Sequence, residues 1–192
     1  MVTLCGAAFA QRHIEFRWHG IYVAGDASVG FNINRSVDEL TEFGDTLTAF
    51  IPSVSVGYSF RKEAAVGIGF SYVADGSGAY TQLPVYAELR SHFTRAQLTP
   101  YGVMQVGYSL PLGTSSVADP VSVKIEEGGL YFGLEAGVRY ALTRHIGIAG
   151  HAGYRLLQAN KVHRRDVAGH SLLETPANLH MITFGATLYF SN

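Results

Sequence analysis

Asp26, Arg61, Glu88, Arg90, His92, Gln105, Glu135, Arg139, His151 and Arg155 are the residues whose types could do chemistry together. Each lies in a segment where bulky apolar residues alternate with small or polar ones, and each falls on the small, polar side. Carboxylates and guanidiniums gathered on one enclosed face pair with each other, because an unpaired buried charge is costly. Glu88, Arg90, Glu135 and Arg139 therefore read as a salt-bridged core. A narrow ion path through rearranged Arg and Glu pairs is a second reading of the same set. Glu88 and Glu135 could also supply the paired carboxylates of acid-base catalysis, but nothing in the sequence places them around a cleft. A second cluster, Lys161, His163, Arg164 and Arg165 with Asp166 and His170, makes one stretch locally basic and suited to the phosphates of an anionic surface. His163 and His170 match no metal-ligand spacing. No pattern in the chain implies a cofactor.

The elements that must position these residues are strands. In GLYFGLEAGVRYALTRHIGIAGHAGYRLL, residues 129–157, Leu130, Phe132, Leu134, Ala136, Val138 and Tyr140 alternate with Tyr131, Gly133, Glu135, Gly137 and Arg139. The period is two, and it resumes from Ile146 after a short turn, so the stretch predicts a hairpin. With the connection centred on Thr143, Glu135 is expected opposite His151 and Phe132 opposite Tyr154. The same alternation predicts six further strands, over about residues 20–32, 49–61, 65–73, 83–93, 99–110 and 179–190. Long loops are expected at 34–46, 74–82, 111–127 and 158–177, and short turns at 62–63, 94–97 and around Thr143.

Eight strands joined by strictly alternating long and short connections predict an all-β fold, an eight-stranded antiparallel up-and-down transmembrane β-barrel. Such barrels carry short turns on one side of the membrane and long loops on the other, and an even count puts both termini on the turn side. The outward aromatics sort by height. Tyr58, Phe60, Phe93, Tyr140 and Phe190 fall near the turns, whereas Phe31, Phe50, Tyr72, Tyr108, Phe132 and Tyr154 fall near the loops, which predicts two interfacial girdles. A soluble, lipocalin-like ligand carrier is the competing reading, with the grease inside and the charges in water.

Composition bears on that choice. Charged residues are 15% of the chain, against about 25% in a typical soluble domain, which leaves little to wet an outer face. The formal net charge of -1 gives no case for nucleic acid. With lipid outside, each charge turned outward near the midplane would cost ~2 to 4 kcal/mol. Several such terms exceed a domain stability of ~5 to 15 kcal/mol, so the charges must face inward. There the lumen of an eight-stranded barrel is just wide enough for its own side chains, which predicts a plugged interior and no pore.

Residues 1–10, MVTLCGAAFA, are a short apolar run ending Ala-Phe-Ala and read as the tail of a secretory signal, leaving 11–192 as one barrel domain. The single cysteine, Cys5, excludes an internal disulfide. Trp18, the only tryptophan, suits a membrane interface. The runs LPVYAELRSHF, residues 83–93, and TPYGVMQVGYSL, residues 99–110, resemble those of small outer-membrane barrels of the OmpX and OmpA transmembrane-domain type, including porin-family barrels common in Bacteroidota. The resemblance extends over nearly the whole chain from about Gly20. It implies a Gram-negative outer membrane, contact with its lipid and lipopolysaccharide, and insertion by the barrel-assembly machinery, which reads a terminal aromatic. Phe190 matches, but Ser191 and Asn192 follow it. It also implies a structural role or binding of a host or surface ligand through the outer loops. Some similar barrels act on lipid A with a Ser or His set facing the outer leaflet. Here the only lipid-facing strand histidine is His180, with no Ser, Asp or Glu of the same parity beside it, so no catalytic residue is assigned.

Overall fold

The computed structural model describes residues 19–33, 48–61, 63–75, 81–94, 96–112, 122–165 and 171–192. The expected leader at 1–10, Trp18, the 34–46 loop, Asp166 and His170 lie outside them. All regular structure among the described residues is strand: β1 (Gly20–Asn32), β2 (Thr48–Arg61), β3 (Ala64–Ser71), β4 (Val73–Asp75), β5 (Thr81–His92), β6 (Leu98–Pro111), β7 (Ser122–Ala141), β8 (Ile146–Arg165) and β9 (Ser171–Ser191). Neighbours pair antiparallel throughout. β9 returns to β1, from Tyr22 opposite Ser191 to Asn32 opposite Met181, and closes the sheet into a barrel.

β3 and β4 are one stave. Ser53 pairs with Ser71 and Phe50 with Ala74 in a single register, so the interruption at Tyr72 falls opposite Pro52. Proline has no N–H to give, and one rung of the ladder is lost there. The Tyr72 N–H still donates to the Pro52 carbonyl at 2.9 Å. The barrel therefore has the eight staves that the alternation predicts.

Two expectations are corrected. The turn of the β7–β8 hairpin is centred on Arg144, not Thr143: Ala141 faces Gly147, Glu135 faces Gly153, Gly137 faces His151 and Leu134 faces Tyr154. Hydrogen bonds at the turn set this register. Thr143 Oγ1 accepts the backbone N–H groups of His145 at 3.1 Å and Ile146 at 2.9 Å, while the N–H groups of Leu142 and Thr143 both donate to the Ile146 carbonyl at 3.0 Å. The shift is by two residues, so every side chain keeps its face.

The second correction concerns the loops. β7, β8 and β9 are 20, 20 and 21 residues long, whereas β1, β2, β5 and β6 have 12 to 14. Much of the stretches expected as loops at 111–127 and 158–177 is therefore strand. Above the bilayer a strand has no lipid to face, so no sustained period-two hydrophobicity is required there while backbone pairing continues. Val162 opposite Thr175 and His163 opposite Glu174 are rungs of that kind.

Polarity is inverted relative to a protein in water. Ile68 and Phe184 are 66% and 54% exposed, while Arg139 and Arg155 are 2% and 1% exposed. A soluble carrier would have Ile148 and Phe184 in its centre. They are on its outside, so the carrier reading is overturned.

Candidate functional site in the lumen

The lumen is built in three layers, and the first lies near the short turns. Arg90, from β5, is caged by three tyrosines from three other staves: its Cζ is 5.5 Å from the ring centre of Tyr22, 5.9 Å from Tyr101 and 4.8 Å from Tyr189. Its Nη1 donates to the Tyr189 hydroxyl. Its Nη2 reaches Glu88 Oε1 at 3.1 Å, an oxygen that also accepts the hydroxyls of Tyr22 at 2.7 Å and Ser55 at 3.0 Å. Arg139 lies over the same Tyr189 ring, 5.7 Å from its centre, and the His92 ring stacks on Tyr101 at 5.9 Å. Enclosed cation–π contacts of this kind are stronger than exposed ones because the guanidinium has lost its water.

Room for these rings comes from glycine. A Cβ at Gly57 or at Gly67 would stand 2.5 Å from the Tyr22 hydroxyl oxygen, a distance at which one group must leave. Inward glycines on β2 and β3 are therefore what lets a tyrosine on β1 cross the lumen, and part of the high glycine content has this cause.

The middle layer is ionic. Asp26 accepts the hydroxyls of Ser28 at 2.6 Å, Thr187 at 2.9 Å and Ser53 at 3.3 Å, with His151 Nε2 at 3.4 Å and Arg155 Nη2 at 3.6 Å. Arg155 Nη2 also holds Glu135 Oε1 at 2.7 Å. Glu135 thus meets an arginine two rungs away on the neighbouring stave, while the place opposite it, where His151 is expected, is taken by Gly153. Ser28, His151 and Asp26 are the residue types of a nucleophile, base and orienting acid; Ser28 Oγ lies 2.6 Å from Asp26 Oδ1 and 3.3 Å from His151 Nε2, the same ring nitrogen that faces Asp26 Oδ2 at 3.4 Å.

The third layer, toward the long strands, is built on an apolar cluster, with the buried Gln82 and Ser109 hydrogen-bonded to each other beside it. Ala49, Ile51, Val73, Tyr86, Tyr131, Leu157 and Met181 form one buried cluster. Gln105 lies at its edge and accepts the Tyr131 hydroxyl at 2.7 Å.

Of the residues singled out by type, Glu88, Arg90, His92, Gln105, Glu135, Arg139, His151 and Arg155 are buried, and the Asp26 side chain is 10% exposed. Arg61 is exposed at the turn end of β2 and is not part of the lumen. The expected grouping of Glu88, Arg90, Glu135 and Arg139 divides in two: Glu88 pairs with Arg90, and Glu135 pairs with Arg155. Tyr22, Tyr101 and Tyr189 were not singled out by type, although they share the charges' parity, and that parity is the signal that finds them. Lys161, His163, Arg164 and Arg165 lie on β8, where Arg165 faces Ser122 and Ser171 and Lys161 faces Glu127. His180 accepts or donates at 2.5 Å with the Tyr154 hydroxyl near the lipid-facing surface.

A closed antiparallel barrel with a charged lumen and an apolar exterior is a transmembrane β-barrel. Residues 1–190 match the outer membrane protein beta-barrel domain family. The chain belongs to that family and is a protein of the bacterial outer membrane. Its fold is similar to those of three solved barrels. Neisserial surface protein A (NspA) superposes with a TM-score of 0.60 at 17% identity, covering 90% of this chain and 97% of that one. The outer membrane protein OprG from Pseudomonas aeruginosa gives 0.58 at 17% identity, covering 93% and 100%. AlkL, solved in DMPC lipid bilayers, gives 0.53 at 15% identity, covering 92% of each chain. No curated protein sequence matches the chain.

Proposed function

We propose that this barrel is non-conducting and non-enzymatic, and that it acts through the outer end of its long strands. The observation that carries the reading is the filling of the lumen at both ends. Tyr22, Tyr101, Tyr189 and Arg90 fill it near the turns, and Ile51, Val73, Leu157 and Met181, each at most 1% exposed, fill it toward the outside. An ion would have to shed its water twice. The charged layer between them is a structural core.

The outer strands give the barrel its contact with the surroundings. Lys161, His163, Arg164 and Arg165 on β8 would meet the phosphates of lipopolysaccharide, or an anionic host surface, with each basic residue near the surface worth about 1 kcal/mol. The barrel-assembly machinery would insert the chain, reading the last strand with its outward Phe190.

Two measurements test this. In planar bilayers the protein should give no stable conductance step, and a long-lived open channel would overturn the plug. Lipopolysaccharide should bind the purified protein in a salt-sensitive way, since exposed charges are screened over about 10 Å at 0.1 M salt. Replacing Lys161, Arg164 and Arg165 by Gln together should weaken that binding at least tenfold. Undiminished binding would remove the basic stretch from the proposal.

A further inference from the structure

One rung of the lipid-facing wall carries only small side chains. Gly150 on β8 faces Ala186 on β9, Ala186 faces Ala27 on β1, and Ala27 faces Pro52 on β2. Gly150 is four residues from the turn-side end of β8 and Pro52 nine from that of β2, so the rung climbs from one to the other. It floors an open groove of about 910 Å³, as large as the pockets that hold drug-sized ligands. Tyr140 and Ile148, opposite each other on β7 and β8, wall its turn-side end, and Phe70 and Tyr72 on the third stave wall the other. Asp26 borders the groove too, but its carboxylate is taken up in the lumen by the hydroxyls of Ser28 and Thr187.

The bare floor serves no packing inside the protein. A Cβ at Gly57, Gly67 or Gly107 would collide with a neighbouring stave, whereas a Cβ at Gly25 or Gly150, both of which line the groove, would meet nothing within 4 Å. Glycine weakens the interior of a strand, and here no protein neighbour needs the space. Three stave spacings of about 4.8 Å give the floor a length of roughly 14 Å, close to half of the ~30 Å hydrocarbon core. That is the reach of an acyl chain within one leaflet. The turn-side end adds a charge. Arg144 is exposed at the tip of the β7–β8 turn, just beyond Tyr140 and Ile148, and the turn holds no acidic residue. The Tyr140 hydroxyl accepts Gln97 Nε2 at 2.9 Å, which fixes its place and leaves its own proton to give.

We propose that the groove holds one anionic phospholipid of the turn-side leaflet, with an acyl chain laid along the rung from Gly150 to Pro52 and the headgroup phosphate met by Arg144 and the Tyr140 hydroxyl. That leaflet faces the periplasm in barrels of this construction. The lipopolysaccharide contact proposed above lies at the other end of the staves, so either reading can fail without the other.

The full chain in detergent, offered phosphatidylglycerol or phosphatidylcholine with the same acyl chains and then weighed by native mass spectrometry, tests the groove. One phosphatidylglycerol per barrel should be retained at least tenfold better than phosphatidylcholine, and equal retention would overturn the proposal. Arg144→Gln should bring phosphatidylglycerol down to the level of phosphatidylcholine. Gly150→Leu, whose Cβ meets nothing in the protein, should lower the retention of both by filling the floor. Ala27→Leu fills the same rung should that variant not fold, and heat-dependent gel migration shows which barrels have formed. Retention that survives a filled floor would overturn the groove. Displacement of the lipid by glycerol 1-phosphate would overturn it as well, because that molecule has the headgroup chemistry without the chain.

Discussion

Arg155 touches both Glu135, at 2.7 Å, and Asp26, at 3.6 Å, and this double contact decides what single substitutions will do. Glu135→Ala leaves the guanidinium buried with one distant carboxylate, and breaking a buried pair from one side costs about 3 to 5 kcal/mol. Urea unfolding should show a loss near the lower end of that range, because Asp26 remains. The double variant Glu135→Leu with Arg155→Met should recover most of it, since apolar residues of similar volume commonly replace buried ion pairs without penalty. A double variant no better than the single would mean that the pair contributes through something other than mutual neutralisation. Gly67→Val carries a different lesson. It places a branched side chain where the Tyr22 hydroxyl sits and against the Val56 carbonyl oxygen, 2.5 and 2.8 Å from its Cβ, and overpacking of this kind costs about 1 to 3 kcal/mol. Adding Tyr22→Ala, which removes the side-chain half of the clash and leaves the Val56 carbonyl, should cost less on the Gly67→Val background than on the native one; two independent losses that simply sum would refute the steric account.

Among the elements, the third stave shows how far a local rule reaches. Its break at Tyr72 has its cause in Pro52 on the neighbouring stave, which cannot give the missing hydrogen bond. In Pro52→Ala the new amide should exchange slowly with deuterium, at the rate of its β2 neighbours, because a donor then faces the Tyr72 carbonyl. Fast exchange at that amide would show that the break has another origin. The strands β1, β2, β5 and β6 were legible in the sequence to within a residue or two, since lipid on one side and side chains on the other force a period of two. The upper parts of β7, β8 and β9 were not. There charged and turn-forming residues such as Lys124, Glu126, Lys161, Arg164, Arg165 and Pro176 interrupt the apolar pattern, and only backbone pairing with an adjacent stave makes them strands.

For the whole molecule the decisive quantity is polarity. Ala186 sits midway along the outward row from Ile182 to Phe190 and is exposed. Ala186→Arg should lower the folding free energy in lipid by ~2 to 4 kcal/mol, the range found for a lipid-facing arginine near the midplane. Folding measured in vesicles by the heat-dependent gel shift reads this directly, and no loss would mean that Ala186 does not face hydrocarbon. The candidate site belongs to this scale too. Tyr22 meets Glu88 across 66 positions and Arg90 meets Tyr189 across 99, so no window of sequence contains the cage that fills the lumen.

Alternation by itself determined the number of staves, the inward face of the charged residues from Asp26 to Arg155 apart from Arg61 at its turn, and the apolar exterior, because those depend only on a residue's immediate neighbours and on the solvent outside. Which carboxylate serves which arginine was decided by the tertiary structure. The hydrogen bonds of one four-residue turn moved the β7–β8 register by two, and closure of β9 onto β1 brought Tyr189 and Thr187 to residues near the start of the chain. Registers and closure are properties of pairs of strands, and a single strand carries no record of them.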